Sequence, residues 1–325
     1  YAANLDLQVG DTLDFVVSSS KTYHQVGFNA IIEAGEPLPP TMNLVMQLDA
    51  GTGVSDPNRP GETLVDGDRV GLWADQAGNG LDARAKSGWG SPILKTDGDF
   101  DVVRFDGNDG MVIYDLSEPN DQEKFLDLED PNDKGPLDLG SYTIYVVGKL
   151  NQFATPNLSQ VFLANYNAVQ GYGLGISDSL PDYVKFWTNN GGEMRSGRSI
   201  YDEEDPGRYY LLAATITNTA GKKLIVNDCV EDDSYGMSSY TKTTAVTVGA
   251  LAGGTQFLKG DIAEIRVYDG FIEATHLGVV NELVNKYGLD RECLGGPNLD
   301  QVVLTALTFF GTTSTGSVRE EERWN

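Results

Sequence analysis

The chain has 325 residues, with 23 Lys+Arg against 48 Asp+Glu, and a formal net charge of −25 at pH 7. A surface this acidic is repelled by phosphates, which excludes nucleic acid as a partner and argues equally against anionic membrane surfaces. Hydrophobic residues make up 40% of the chain, ample for a packed core, and no apolar run approaches the ~18 residues of a spanning helix, so no membrane insertion is expected.

Short apolar runs separated by stretches rich in Gly, Asp, Asn and Thr recur along the sequence, the pattern of an all-β sandwich. The chain opens at Tyr1 rather than Met, without a charged-then-apolar leader, which reads as a processed or excised piece. The first candidate strand, Leu13–Ser18, falls in residues 1–34, read as the closing strands of an upstream module or as an assembly arm. Residues 35–41 form a stiff linker, because the three prolines of Gly35-Glu-Pro-Leu-Pro-Pro40 forbid regular pairing. The main domain, 42–290, offers strands at Asn43–Leu48, Asp101–Phe105, Gly110–Tyr114, Tyr142–Lys149, Gln160–Ala164 and Tyr172–Ile176. Tyr183–Trp187, Tyr209–Ile216, Lys223–Val226, Ala245–Val248 and Ala263–Tyr268 follow.

Tyr142–Gly148 is apolar nearly throughout and suits a central strand covered on both faces. Glu118–Gly135 is acidic and rich in Pro and Asn, and reads as a long surface loop. One helix is predicted over Glu273–Gly288, where Leu277, Val280, Leu283, Val284 and Tyr287 recur at three-to-four spacing and Gly288 sits at the expected left-handed stop. It is expected to pack across an edge or end of the sandwich. Gly295-Gly-Pro297 makes a second break, and residues 291–325 form an extension carrying an apolar strand over 301–310. So hydrophobic a strand must be covered, either by residues 1–34 or by another copy of the chain through strand addition.

Four stretches together resemble the laminin-G-like, concanavalin A-like lectin/glucanase superfamily. Leu44-Val-Met-Gln-Leu-Asp49 is like its opening strand. Leu72-Trp-Ala-Asp-Gln-Ala-Gly-Asn-Gly-Leu-Asp82 is similar to its W-x-D-x-S-G-N-G-x-D element, with Ala77 where Ser is usual. Val103-Arg-Phe-Asp-Gly-Asn-Asp109 is like its R-F-D-G-x-D strand and turn, and Leu258–Tyr268 with the helix ending at Leu289 looks like its closing pair. Val9–Val17 is similar to closing strands of modules that precede such domains in large bacterial surface proteins. The resemblance implies a two-sheet antiparallel jelly-roll sandwich with one C-terminal helix and extra terminal strands. It also implies binding of glycans or proteins outside the cell and, often, a structural calcium ion. The superfamily includes glycosidases, so fold alone settles no activity.

A glycosidase needs two carboxylates facing one sugar cleft, and no strand carries that arrangement. Glu203-Glu-Asp205 precedes Pro206 and reads as a solvated turn, while Glu193 and Arg195 read as a surface ion pair. The two histidines, His24 and His276, fall outside the main domain and on the terminal helix, poor places for a lyase base. Nucleophile-elbow, zinc-protease and phosphate-loop motifs are all missing.

Calcium needs six to eight hard oxygens. The turn Asp75–Asp82 supplies Asp75 and Asn79, and the resemblance adds Asp261; alternatively, these residues serve turns through local hydrogen bonds. Glycan binding calls for exposed aromatics beside hydrogen-bonding groups. Trp89, Tyr166, Tyr172, Trp187, Tyr201 and Tyr235 lie near predicted loops or strand ends, whereas Trp73 and Phe105 read as core. The candidate ligand site is Trp187 with Asn189, Asn190, Tyr172 and Arg195, core packing being the alternative for Trp187. Cys229 and Cys293 either pair across a long loop or remain buried thiols.

The first functional reading is a non-catalytic module at the cell surface or secreted, bound to glycan or a matrix component. A structural or adhesive subunit, joined to its own copies through terminal strands, is the alternative. A polysaccharide lyase or glycosidase comes third. The acidic surface also fits a bacterium from a saline setting.

Overall fold

The computed structural model describes residues 42–291, apart from 116–119, 122–123, 125–136, 138–140, 152–158, 167–170, 178–182, 189–192, 202–206, 218–220 and 235–244. The chain divides into two units, Pro40–Leu294 and a second made of Tyr1–Pro39 with Gly295–Asn325; every described residue belongs to the first. The predicted strands Leu13–Ser18 and 301–310, the linker and the Glu118–Gly135 loop, Asn120, Asp121 and Lys124 of that loop apart, lie outside the described residues.

Two antiparallel sheets form the domain. In the eight-stranded sheet the order is β15 (Cys229–Ser234), β14 (Gly221–Val226), β13 (Tyr210–Thr217), β8 (Tyr142–Leu150), β17 (Lys259–Asp269), β6 (Phe100–Asp106) and β5 (Ile93–Asp97), with β1 (Asn43–Asp49) also on β17. The nine-stranded sheet runs β12 (Glu193–Ser199), β11 (Tyr183–Thr188), β10 (Gly171–Ile176), β9 (Gln160–Tyr166), β16 (Ala245–Val248), β7 (Met111–Asp115), β4 (Ala83–Ala85), β3 (Leu72–Trp73) and β2 (Val54–Ser55). This is the jelly-roll sandwich that the sequence pattern and the resemblance imply.

β8 is buried along all nine residues, as its unbroken apolar run requires of a central strand. β17 is long enough to serve two partners on one side: Lys259–Ile262 pair with β6, and Glu264–Asp269 with β1. The handover falls at Ala263, where the register against β8 also slips. There the Ala263 carbonyl accepts the Ala50 N–H at 3.0 Å, the local kink expected of a bulge. The core between the sheets includes Trp73, Phe105, Phe162, Tyr172 and Phe186.

The helix, α1 (Glu273–Tyr287), ends at Gly288 with φ 62°. It lies on the outer face of the eight-stranded sheet, packing Val279, Val280, Leu283, Val284 and Tyr287 with Tyr145, Val147, Leu211 and Ala213. That position corrects the expected edge or end. Four of the five predicted stripe positions, Val280, Leu283, Val284 and Tyr287, are buried. Leu277 is exposed, and His276 takes its place because its Nδ1 meets the Tyr145 hydroxyl at 2.7 Å. Burial, then Lys223, push the His276 imidazole down to about 4, so it is neutral at physiological pH. At the other end Lys286 bonds both Asp49 (2.6 Å) and the fully buried Glu264 (2.7 Å), and Tyr287 donates to the same Glu264 carboxylate at 2.7 Å. Burial alone would raise Glu264; Arg266, Lys286 and Tyr287 together hold it below the usual carboxylate range. A charge buried beneath the helix is stable only with those partners present.

Candidate functional site

The three predicted metal ligands do not form one site. Asp75 accepts N–H groups from Gln47 (3.0 Å), Ala77 (2.9 Å), Asn79 (2.9 Å) and Leu81 (3.3 Å), so its carboxylate organises the turn and anchors it to β1. The Asn79 side-chain amide donates to the Val45 carbonyl at 2.9 Å. Asp261 lies on β17, where Arg104 grips it with two bonds of 2.8 and 2.7 Å, Asn151 donates at 2.6 Å and the Tyr209 hydroxyl at 3.3 Å. Asp75 bridges Leu48, which pairs with Ile265, four residues and about 13 Å along β17 from Asp261. Oxygens already saturated by N–H and cationic donors do not suit calcium. Among the described residues no three acidic, His or Cys side chains group as a metal site. The motif is therefore a turn-building device here.

The predicted ligand residues are also dispersed. Tyr172 points into the core between the sheets, stacked on Tyr142 with ring centroids 4.3 Å apart, which corrects its reading as a sugar platform. The alternation of β10 decides this: Tyr172, Leu174 and Ile176 face inward and leave Gly173 and Gly175 on the outer side. Trp187 is on that outer side but only 9% exposed, packed with Val161, Ala164 and Leu251. Its ring occupies the space over Gly173, where an added Cβ would stand 2.1 Å away. Arg195 is exposed and bonded to Glu193, the ion pair that the sequence suggested. Asn189 and Asn190 lie outside the described residues. Cys229, buried at the start of β15, is disulfide-bonded, and the only other cysteine in the sequence is Cys293.

A different aromatic site emerges at one end of the sandwich, where three connections converge. These are the β4–β5 connection with Trp89, the β6–β7 turn with Asn108 and Asp109, and the β16–β17 connection with Phe257. Gly90 bridges Asp109, and its N–H donates to the Asn108 carbonyl at 3.0 Å. Trp89 and Phe257, both half-buried, meet edge to face with centroids 5.6 Å apart. The indole lies close to backbone on both flanking connections: an added Cβ would stand 2.6 Å from it at Gly110 and 2.8 Å at Gly254. Lys86 Nζ sits 5.3 Å from the Trp89 ring and is bound to Asp115 at 3.0 Å.

Exposed at or beside these connections are Asp106, Asn108, Thr255 and Gln256, and the exposed Arg69 acts electrostatically on Asp109. Asp109 is buried beneath them, accepting the Asp106 N–H at 3.0 Å, and burial with the neighbouring Asp106 pushes its carboxyl up to about 6. Reaching aromatic rings ringed by acceptors and amides can hold a ligand with an apolar face and a polar rim. In the sequence Trp89 was one aromatic among several. Phe257 gave no signal, since its pairing with Trp89 depends on loops 168 positions apart closing together.

Residues 126–277 match the family model described as the concanavalin A-like lectin/glucanases superfamily, the same superfamily that the four motifs resemble. No curated protein matches the chain. Among solved structures, domain 4 of AbnA, an extracellular arabinanase from Geobacillus stearothermophilus in complex with arabinotriose, is similar at 14% identity and TM-score 0.48, over 74% of this chain and 98% of that one. The binding domain of Paraclostridial Mosquitocidal Protein 1 is similar at 12% identity and TM-score 0.49, covering 75% and 53%. The receptor binding domain of botulinum neurotoxin D is similar at 9% identity and TM-score 0.47, covering 74% and 52%. The chain thus spans about half the length of the toxin domains it matches. No helix among the described residues is long and apolar enough to cross a membrane.

Proposed function

We propose that the chain is a non-catalytic carbohydrate-binding module acting outside the cell, and that its ligand site is the loop end built on Trp89 and Phe257. The observation that carries the reading is the partly buried aromatic pair, on connections that also carry the exposed Asn108 and Gln256, with the exposed Asp106 at the end of β6. A sugar ring presents an apolar C–H face and a rim of hydroxyls. The first suits an aromatic platform, and the second suits carboxylate and amide acceptors. The carboxylates near the platform already have structural duties, which supports binding over hydrolysis. Asp109 caps the β6–β7 turn, Asp106 accepts the Asn108 N–H at 3.1 Å, and Asp115 holds Lys86. The disulfide at Cys229 supports an oxidising, extracellular setting.

Affinity electrophoresis of the full chain through gels containing plant and microbial polysaccharides tests the proposal. At least one polysaccharide is expected to retard the protein. Trp89→Ala and Asn108→Ala, checked for unchanged melting, are expected to weaken that retardation by about tenfold or more for the tryptophan. Retardation by no polysaccharide, or retardation indifferent to Trp89, overturns the reading.

A further inference from the structure

We propose that β12 is a self-association edge, held closed in the single chain by Glu231 and Asp232 of β15. The inference does not depend on the carbohydrate reading. Among the described residues β12 ends the nine-stranded sheet and β15 ends the eight-stranded one, each paired on one side only. An open strand edge presents unpaired N–H and C=O groups to any extended chain. Here the side chains of one edge cover the other. Glu231 accepts the Gly197 N–H at 2.9 Å and binds the Arg198 guanidinium at 2.5 Å, and Asp232 accepts the Arg195 N–H at 3.4 Å. A bulge aims Glu231 toward β12: Val230 stands opposite Ile225 and Asp232 opposite Leu224, so Glu231 is the extra residue of the β15 ladder. β12 is irregular where it meets Glu231. Ser196, Gly197 and Arg198 lie between the partners of Lys185 and Tyr183, and the Val184 N–H turns to the Ser196 hydroxyl at 2.9 Å.

The occupant that fits this edge is β12 of a second copy. In an antiparallel pair a residue's N–H and C=O point to the same side, so Glu193, Arg195 and Gly197 present both groups here. Glu193 and Arg195 are exposed on one face and bonded to each other, with Met194 between them buried on the opposite face. Two copies paired antiparallel about Met194 set Glu193 of each against Arg195 of the other, so both ion pairs re-form across a two-fold interface. Strand addition of this kind draws its affinity from main-chain bonds, and those bonds form only after Glu231 and Asp232 have left the edge.

Sedimentation velocity of the full chain tests the proposal, at 0.15 M salt so that the net charge of −25 is screened beyond about 8 Å. The parent is expected to remain a monomer as its concentration rises. The double variant Glu231→Ala with Asp232→Ala is expected to form a dimer, its mass doubled. Adding Arg195→Glu, which sets like charges against Glu193, or Gly197→Pro, which removes an edge N–H, is expected to return that dimer to monomer. Hydrogen exchange of the parent tests the closure without any variant. The Gly197 amide, held by Glu231, is expected to exchange at least about tenfold more slowly than the Glu193 amide at the same edge. A dimeric parent, a folded double variant that stays monomeric, or a dimer indifferent to both added substitutions overturns the proposal. So does a Gly197 amide that exchanges as fast as that of Glu193.

Discussion

Replacing Asp109 with Asn is predicted to stabilise the domain at neutral pH, because its carboxyl is easier to protonate in the fold than outside it. Asp109 is 5% exposed, and burial with the neighbouring Asp106 places its pKa at about 6. An unfolded aspartate titrates near ~3.9. Between about pH 4 and 6 the folded chain therefore binds more protons than the unfolded chain, so stability falls as pH rises through that window. A shift of roughly two pH units corresponds to about 3 kcal/mol lost above pH 6. Asn keeps an oxygen for the Asp106 N–H, although a neutral acceptor gives up about 1 kcal/mol relative to a charged one. Asp109→Asn is thus expected to gain about 1–3 kcal/mol at pH 7.5 and to be level with the parent or slightly weaker at pH 4. Urea titrations at both pH values measure the difference. The parent's own pH profile hides this effect. His276, pushed down to about 4 by burial and then by Lys223, gains stability with rising pH between about 4 and 6.5 and offsets Asp109. A variant-minus-parent difference that is the same at both pH values refutes the reasoning.

Gly173→Ala places a Cβ 2.1 Å from the Trp187 ring, so the indole must shift; a loss of about 1–3 kcal/mol in thermal denaturation and a change in tryptophan emission are expected. Lys286→Met removes the ammonium shared by Asp49 and buried Glu264. About 2–4 kcal/mol is expected to be lost in urea unfolding, with amide protection falling first in α1. Reducing the disulfide of Cys229, which with Cys293 as its partner closes a loop of about 65 residues, is expected to cost about 4 kcal/mol. Chemical denaturation with and without a phosphine reductant measures that loss.

Strands that carry apolar alternation or a continuous apolar run were legible in the sequence. Ala245–Val248 matches residue for residue, and Tyr142–Lys149 differs from β8 only by Leu150. The strands that escaped are edge or near-edge elements. β12 reads Glu-Met-Arg-Ser-Gly-Arg-Ser and β15 reads Cys-Val-Glu-Asp-Asp-Ser, sequences whose pairing comes from the sheet rather than from β propensity. The same limit applied to the site. Asp75 and Asn79 are correctly placed in a turn, but spacing could not reveal that four N–H groups converge on Asp75 and two donors of Arg104 on Asp261. The inward orientation of Tyr172 follows from period-two alternation in β10 once Gly173 and Gly175 are assigned outward. The Trp89–Phe257 contact is a consequence of long-range topology and left no local trace.

The most direct test of the central claim is a titration of the ¹⁵N-labelled full chain with a bound glycan, followed through its four tryptophan indole N–H resonances, those of Trp73, Trp89, Trp187 and Trp324. Buried Trp73 serves as an internal reference. The account predicts a saturable shift of the Trp89 resonance, with those of Trp73 and Trp187 unmoved. A glycan that shifts Trp187 and leaves Trp89 in place contradicts it.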